Sequence, residues 1–112
     1  MKTIKNKENF EKWLLNQPYM FRIEALQWFY KLPFEMQFNS YVAYYDYLGI
    51  DIEIGGKNSF KPKGYSVTII GNNQVFCYKS EINSRYEAYK LALEEANLIM
   101  DLNLIKLTST TK

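Results

Sequence analysis

The chain has 112 residues, which is enough for one domain but too few for two separate cores. Hydrophobic residues make up 47% and charged residues 23%, which excludes a disordered chain, and a formal net charge of +2 is too small to identify a nucleic-acid binder. There is no histidine and one cysteine, so histidine-dependent catalytic triads, histidine metal sites and internal disulfides are excluded. We expect a single domain over residues 1–112, frayed at 1–5 and 108–112.

A first helix is predicted over residues 6–17. Phe10, Trp13 and Leu14 fall on one side of it at helical spacing, and charged residues occupy the other side. Pro18 ends this helix, because the residue before a proline avoids the helical region.

A second helix is predicted over residues 19–32, where apolar side chains occupy two faces. Because such a helix has to be covered on both faces, we expect it to lie at the centre of the fold. Phe21 and Trp28 are predicted to be inaccessible to solvent, and Trp28→Ala would then cost about 3–5 kcal/mol.

A third helix is predicted over residues 34–48, before Gly49, a residue that suits the position after a helix end. Its apolar stripe consists of Phe34, Phe38, Tyr41, Tyr45 and Leu48. Tyr44 and Tyr47 fall on an adjacent face. Exposed tyrosines on a helix are typical anchors of protein interfaces, whereas half-buried rings at the rim of a wide core give the same pattern, so both interpretations stay open.

Three β-strands are predicted next. Residues 50–54 alternate between apolar and acidic side chains, as in a strand with one buried face. Residues 65–70 and 74–79 are rich in β-forming side chains and are joined by Gly71-Asn72-Asn73, which predicts a hairpin. The short links favour an antiparallel sheet.

The last helix is predicted over residues 85–101. Ser84 and Glu87 have the spacing of a capping box, and apolar residues follow at helical spacing. Residues 104–107 predict a short terminal strand. The order α-α-α-β-β-β-α predicts an α+β fold, with helices packed on a three-stranded antiparallel sheet.

The sequence carries no pattern typical of export or of membrane insertion. Charged residues interrupt the segment after the basic start, where an export signal has an apolar stretch. The longest uncharged stretch, residues 64–78, is too short to cross a bilayer. We therefore expect a soluble, cytoplasmic protein without a membrane partner.

Few residues suit catalysis or cofactor binding. Asp51 and Glu53 project from the same face of a strand, where a carboxylate pair can hold Mg²⁺, but no third acidic ligand accompanies them, so we expect ordinary solvent-facing charges. Cys77 lies inside a predicted strand with no histidine to activate it, which predicts a buried, unreactive thiol. We expect no catalytic residue, no metal site and no cofactor.

Positive charge is densest between Gly55 and Arg85, where five basic residues accompany one acidic residue. The candidate contact residues of this segment are Lys57, Phe60, Lys61, Lys63, Lys79 and Arg85. Cations interleaved with an aromatic ring suit phosphate and base contacts. A solvated hairpin loop whose lysines deter edge pairing has the same composition, and this alternative is the more common one.

The chain resembles small accessory proteins encoded by bacteriophages and prophages of AT-rich bacteria. The resemblance lies in its richness in Lys, Asn, Ile and Tyr, and in the segment Ser84-Arg85-x-Glu87-Ala88 before an alanine-punctuated helix. Among such proteins, a small, tyrosine-rich chain without a catalytic motif is most similar to inhibitors of bacterial defence systems, the anti-CRISPR proteins. The resemblance implies a protein that blocks a host nucleoprotein, and it assigns no residue a role.

The sequence is compatible with three functions. The first is a non-enzymatic binding protein that inhibits a protein or protein–RNA complex of the host, through exposed aromatics such as Tyr44 or Tyr47 and the basic loop. The second is direct binding of RNA or DNA by the basic residues, for which log affinity falls linearly with log salt. The third, ranked last, is a metal-dependent nuclease built on Asp51 and Glu53.

Overall fold

A computed structural model describes residues 7–18, 24–56 and 64–102. Its elements, in chain order, are α1 (Lys7–Leu15), α2 (Glu24–Tyr30), α3 (Phe34–Tyr47), β1 (Asp51–Gly55), β2 (Tyr65–Gly71), β3 (Gln74–Ile82) and α4 (Arg85–Asp101). Four helices and a three-stranded antiparallel sheet, in the order α-α-α-β-β-β-α, confirm the predicted α+β fold.

β2 lies between β1 and β3 and pairs with both in antiparallel fashion. The hairpin turn is tighter than predicted, because Gly71 pairs with Gln74 and leaves Asn72 and Asn73 as the two turn residues. Their φ angles of 51° and 62° are typical of a type I′ turn, whose twist matches that of the strands it joins. Asparagine tolerates this left-handed region, which explains why the turn needs no glycine at its centre. β3 continues past its predicted end, to Ile82.

A β-bulge interrupts the pairing of β2 with β3 near the end of the hairpin. Tyr65 pairs with Ile82 and Val67 with Lys79, so β3 holds one more residue than β2 over this interval. Glu81 lies within the bulge and has a φ of 59°, in the left-handed region that favours glycine. The bulge therefore concentrates backbone strain just before α4.

α3 and α4 cover one face of the sheet. The sheet residues buried on that face are Ile52, Val67, Ile69 and Cys77. The buried side chains of α4 are Ala88, Ala92, Leu93, Ala96 and Ile99. The Tyr45 hydroxyl of α3 donates a hydrogen bond to the Asn97 side chain of α4, which joins the two covering helices.

The central helix is α3. Tyr41 and Tyr45 are fully buried, and α3 contacts α1, α4 and β1. Trp28 of α2 is 59% exposed, so the prediction that the second helix is the buried centre, with Trp28 inaccessible, is wrong. The reason is that a helical wheel counts tryptophan as apolar, although its amphipathic ring is stable at a surface. Phe21, the other ring of that prediction, lies outside the described residues.

Aromatic rings join α1 and α2 to α3. The ring centroid of Phe10 lies 5.0 Å from that of Tyr41 and 5.7 Å from that of Phe29. The Tyr30 hydroxyl donates a 2.9 Å hydrogen bond to the Glu11 carboxylate. Burial, and then this hydrogen bond, raise the pKa of Tyr30 above its ordinary value.

Element ends mostly agree with the predicted ones to within two residues, the longer β3 being the exception. The first turns of the predicted second helix, the terminal strand over 104–107 and the frayed ends lie outside the described residues. None of the described helices is long and apolar enough to span a bilayer.

Candidate binding cleft at the start of the last helix

A helix cap fixes the start of α4. The Ser84 hydroxyl accepts a 3.1 Å hydrogen bond from the backbone N–H of Glu87, whose carboxylate lies in the first turn, where negative charge is favourable. The predicted cap is therefore confirmed. It sets the register of the helix, in which Arg85 and Tyr86 are exposed and Tyr89 is half-buried.

A cleft of about 270 Å³ lies beside this first turn, between α3, α4 and the ends of β1 and β2. Its aliphatic wall is formed by Val42, Ile52 and Ile54, and its aromatic side chains are Phe38, Tyr65 and Tyr89. Side chains one turn apart on a helix, or two residues apart on a strand, face the same side. This periodicity explains why Phe38 and Val42 of α3 face the cleft together, as do Ile52 and Ile54 of β1, and Asn39 of α3 also lines it.

Arg85 lies at the exposed edge of the cleft. Its guanidinium carbon is 5.5 Å from the centroid of the Tyr65 ring, within the range of a cation–π contact. Side-chain hydrogen bonds with Tyr89 and then Tyr65 raise the pKa of Arg85. No acidic residue belongs to the described lining, and no described carboxylate forms an ion pair with Arg85. Among the described residues, the Arg85 guanidinium therefore interacts with tyrosine side chains alone.

Aromatic side chains continue from the cleft along the start of α4. The rings of Phe38 and Tyr89 stack with centroids 4.1 Å apart and planes 8° apart. The ring of Tyr86 lies 5.4 Å from that of Phe34, and the ammonium group of Lys90 lies 5.7 Å from the Tyr86 ring. Tyr86 nevertheless remains 47% exposed, so an accessible ring follows Arg85 directly in the chain.

The structure separates the two tyrosines predicted as interface anchors. Tyr44 is only 3% exposed, and its ring lies 5.4 Å from Phe10 and 5.5 Å from Trp13 of α1. Of the two interpretations left open, the exposed anchor is therefore wrong for Tyr44, and the structure supports a ring packed in the core. Burial raises the pKa of the Tyr44 hydroxyl. Tyr47 is 43% exposed, with its ring 6.2 Å from Trp13. Neither tyrosine lines the cleft, which lies on another side of α3.

Of the predicted basic contact residues that the structure describes, only Arg85 lines the cleft. Lys79 is exposed on β3, the edge strand that does not pair with β1, and it is not among the residues that line the cleft. The predicted contact residues Lys57, Phe60, Lys61 and Lys63 lie outside the described residues.

The predicted acidic pair and the cysteine lie away from the cleft. Asp51 and Glu53 share the sheet face that α3 and α4 leave uncovered, and a hydrogen bond with Asp51, together with its charge, raises the pKa of Glu53. Within residues 7–18, 24–56 and 64–102, no three His, Cys, Asp or Glu side chains are grouped as a metal site requires. Cys77 is buried as predicted, and burial raises the pKa of its thiol.

Sequence reasoning missed the walls of the cleft. Val42, Ile52 and Tyr65 come from three different elements, and no local spacing indicates that they converge. The one available signal is the capping motif at Ser84, because it shows where α4 begins and so which side chains occupy its first turn.

Comparisons of the chain with known protein families, with curated proteins and with solved structures found no match.

Proposed function

We propose that the protein is a non-enzymatic binding protein that inhibits a protein or protein–RNA complex of a bacterial host's defence, with the start of α4 as its contact surface. The observation that carries the proposal is the exposed pair Arg85 and Tyr86 beside a cleft. Arginine and tyrosine are enriched among the residues that dominate binding energy at protein interfaces. The choice of a host defence nucleoprotein as the partner follows from the resemblance to phage-encoded inhibitors.

The surface around the cleft is built on rigid elements, which favours tight binding. Ser84 caps α4, the rings of Phe38 and Tyr89 stack across the α3–α4 contact, and the Arg85 guanidinium lies over the Tyr65 ring. A surface ordered before binding loses less conformational entropy when a partner arrives. The groups that contact the partner are therefore already positioned in the free protein.

The chemical make-up of the chain favours binding over catalysis. The sequence has no histidine to act as a general base, and its one thiol, at Cys77, is buried. The carboxylates of Asp51 and Glu53 lie on a sheet face outside the cleft. The residues that line the cleft suit the binding of a side chain of a protein partner.

The proposal is tested by an infection assay in a bacterium whose CRISPR–Cas system targets the infecting phage. Expression of the chain is expected to restore plaque formation. The double variant Arg85→Ala/Tyr86→Ala should lose this effect at an equal level of folded protein. The matched control is Tyr78→Ala/Lys79→Ala, which also removes one exposed tyrosine and one cation, but from β3, away from the cleft.

Three results would contradict the proposal. Failure to restore plaques against any defence type tested would exclude an inhibitor of those systems. Equal losses from the two double variants would exclude the start of α4 as the contact surface. Tight binding to naked RNA or DNA, with log affinity falling linearly with log salt, would favour direct nucleic-acid binding instead.

A further inference from the structure

We infer that the cleft is a docking pocket for an acidic and apolar segment of a protein partner. In this arrangement an apolar side chain of the partner enters the cavity, and a neighbouring carboxylate pairs with Arg85. The inference rests on the proposed function for its assumption of a protein partner, and it adds the chemistry that the pocket recognises.

The size and walls of the cleft decide what can enter it. A volume of about 270 Å³ lies just below the range of roughly 300–1,000 Å³ that is typical of sites for drug-sized ligands. It therefore suits one or two side chains. The aliphatic wall of Val42, Ile52 and Ile54 provides no side-chain hydrogen-bond partner, so an apolar group is favoured at that wall.

Arg85 supplies the charge for recognition, and Asn39 is a further polar side chain of the described lining. A guanidinium carries five N–H donors in a planar fork, and the Arg85 side chain is exposed, with its guanidinium over the Tyr65 ring. A carboxylate can accept two of these in parallel. Because no acidic side chain belongs to the described lining, none of those residues competes with a carboxylate of the partner.

Single-stranded nucleic acid matches the same residues less well. It binds grooves in which several cations follow its backbone and free ring faces stack with its bases. The described lining contains one cation, Arg85, which lies over the Tyr65 ring. The rings of Phe38 and Tyr89 stack on each other. The faces that these two rings turn toward each other cannot receive a base, so the described part of the lining favours a peptide over a nucleotide.

The test is an NMR titration of the full chain, observing the methyl groups of Val42, Ile52 and Ile54 and the Nε of Arg85. The probe is the end-blocked tetrapeptide Gly-Glu-Leu-Gly, and we expect saturable shifts with a Kd of about 1 mM. Two matched peptides, Gly-Gln-Leu-Gly without the charge and Gly-Glu-Ser-Gly without the apolar side chain, should each bind at least about tenfold more weakly.

Variants of the protein test the same contacts. Arg85→Gln should weaken binding at least about tenfold, whereas Lys79→Gln, which makes the same charge change at the far sheet edge, should alter it less than about twofold. Gly56 also lines the cleft, and a Cβ added there meets nothing within 4 Å. Gly56→Leu should therefore fold with an unchanged melting temperature. It should weaken peptide binding, because the leucine side chain obstructs the cleft. This variant tests the pocket even if Arg85→Gln disturbs the fold.

Several results would overturn the inference. The first is the absence of saturable shifts at peptide concentrations up to roughly ten times the expected Kd. The second is binding of Gly-Gln-Leu-Gly as tight as that of Gly-Glu-Leu-Gly. The third is a stronger shift of the same methyl groups by an oligothymidylate, which would indicate nucleic acid. The infection assay and the peptide titration can contradict their proposals independently of each other. Peptide binding without restored plaques contradicts the inhibitor proposal alone, and plaques restored equally by Gly56→Leu contradict the pocket alone.

Discussion

Phe29 and Trp28 are neighbours on α2 with opposite surroundings, so replacing each with alanine separates the effect of burial from that of residue type. Phe29 is 2% exposed and Trp28 is 59% exposed. The ring centroid of Phe29 lies 5.2 Å from that of Tyr30, 5.7 Å from that of Phe10 and 5.9 Å from that of Tyr41. Phe29→Ala therefore opens a cavity among three rings, whereas Trp28→Ala mainly removes surface.

The two costs follow from burial. Truncating a fully buried phenylalanine costs about 3–5 kcal/mol of the free energy of unfolding. A tryptophan with about two fifths of its surface covered buries on the order of 60–100 Å², which at about 25 cal/mol per Å² is worth about 1.5–2.5 kcal/mol. Because alanine is the better helix former by about 0.5 kcal/mol, the expected cost of Trp28→Ala is about 1–2 kcal/mol.

Urea unfolding followed by far-ultraviolet circular dichroism measures both variants, since Trp28→Ala removes a fluorophore. Each kcal/mol should also lower the melting temperature by about 4 °C or more in a domain of this size. Both substitutions place alanine at adjacent positions of one helix, so each serves as the other's control for helix propensity. A cost at Trp28 equal to that at Phe29 would refute the observed position of α2.

Three further predictions concern strain, pH and the thiol. Because the backbone of Glu81 lies in the left-handed region, Glu81→Gly should raise the free energy of unfolding by up to about 1 kcal/mol. Glu81→Val should lower it by about 1 kcal/mol or more. Equal effects of the two substitutions in urea unfolding would exclude backbone strain at Glu81. Burial and the Glu11 hydrogen bond raise the pKa of Tyr30 in the folded protein. As the pH rises above about 10, the unfolded chain therefore loses the Tyr30 hydroxyl proton before the folded protein does. The contribution of Tyr30 to the free energy of unfolding is complete below that pH and is lost above it. Tyr30→Phe should make this alkaline loss shallower, and an identical pH dependence of unfolding in the variant would contradict the raised pKa. Cys77 is 8% exposed with a raised pKa, so a thiol reagent should label the native protein far more slowly than the unfolded chain; similar rates would show that the thiol is accessible.

The sequence by itself determined the elements whose signals are local. Ser84 and Glu87 predict the start of α4, because a cap involves residues only three apart. Gly49 marks the end of α3 and adopts a φ of 97°, a conformation that glycine tolerates best. The alternation around Ile52 predicts β1 and its buried face. In each case the deciding interactions lie within one or two turns of chain, or within one strand.

Only the tertiary structure decided which apolar side chains are buried and which converge. Tyr44 and Trp28 look equally apolar on a helical wheel, yet α1 covers Tyr44 and no neighbour covers most of Trp28. The cleft beside Arg85 depends on Ile52 of β1 and Val42 of α3 meeting the start of α4. These contacts join residues tens of positions apart, and their geometry depends on how helices and sheet pack together, which local periodicity does not encode.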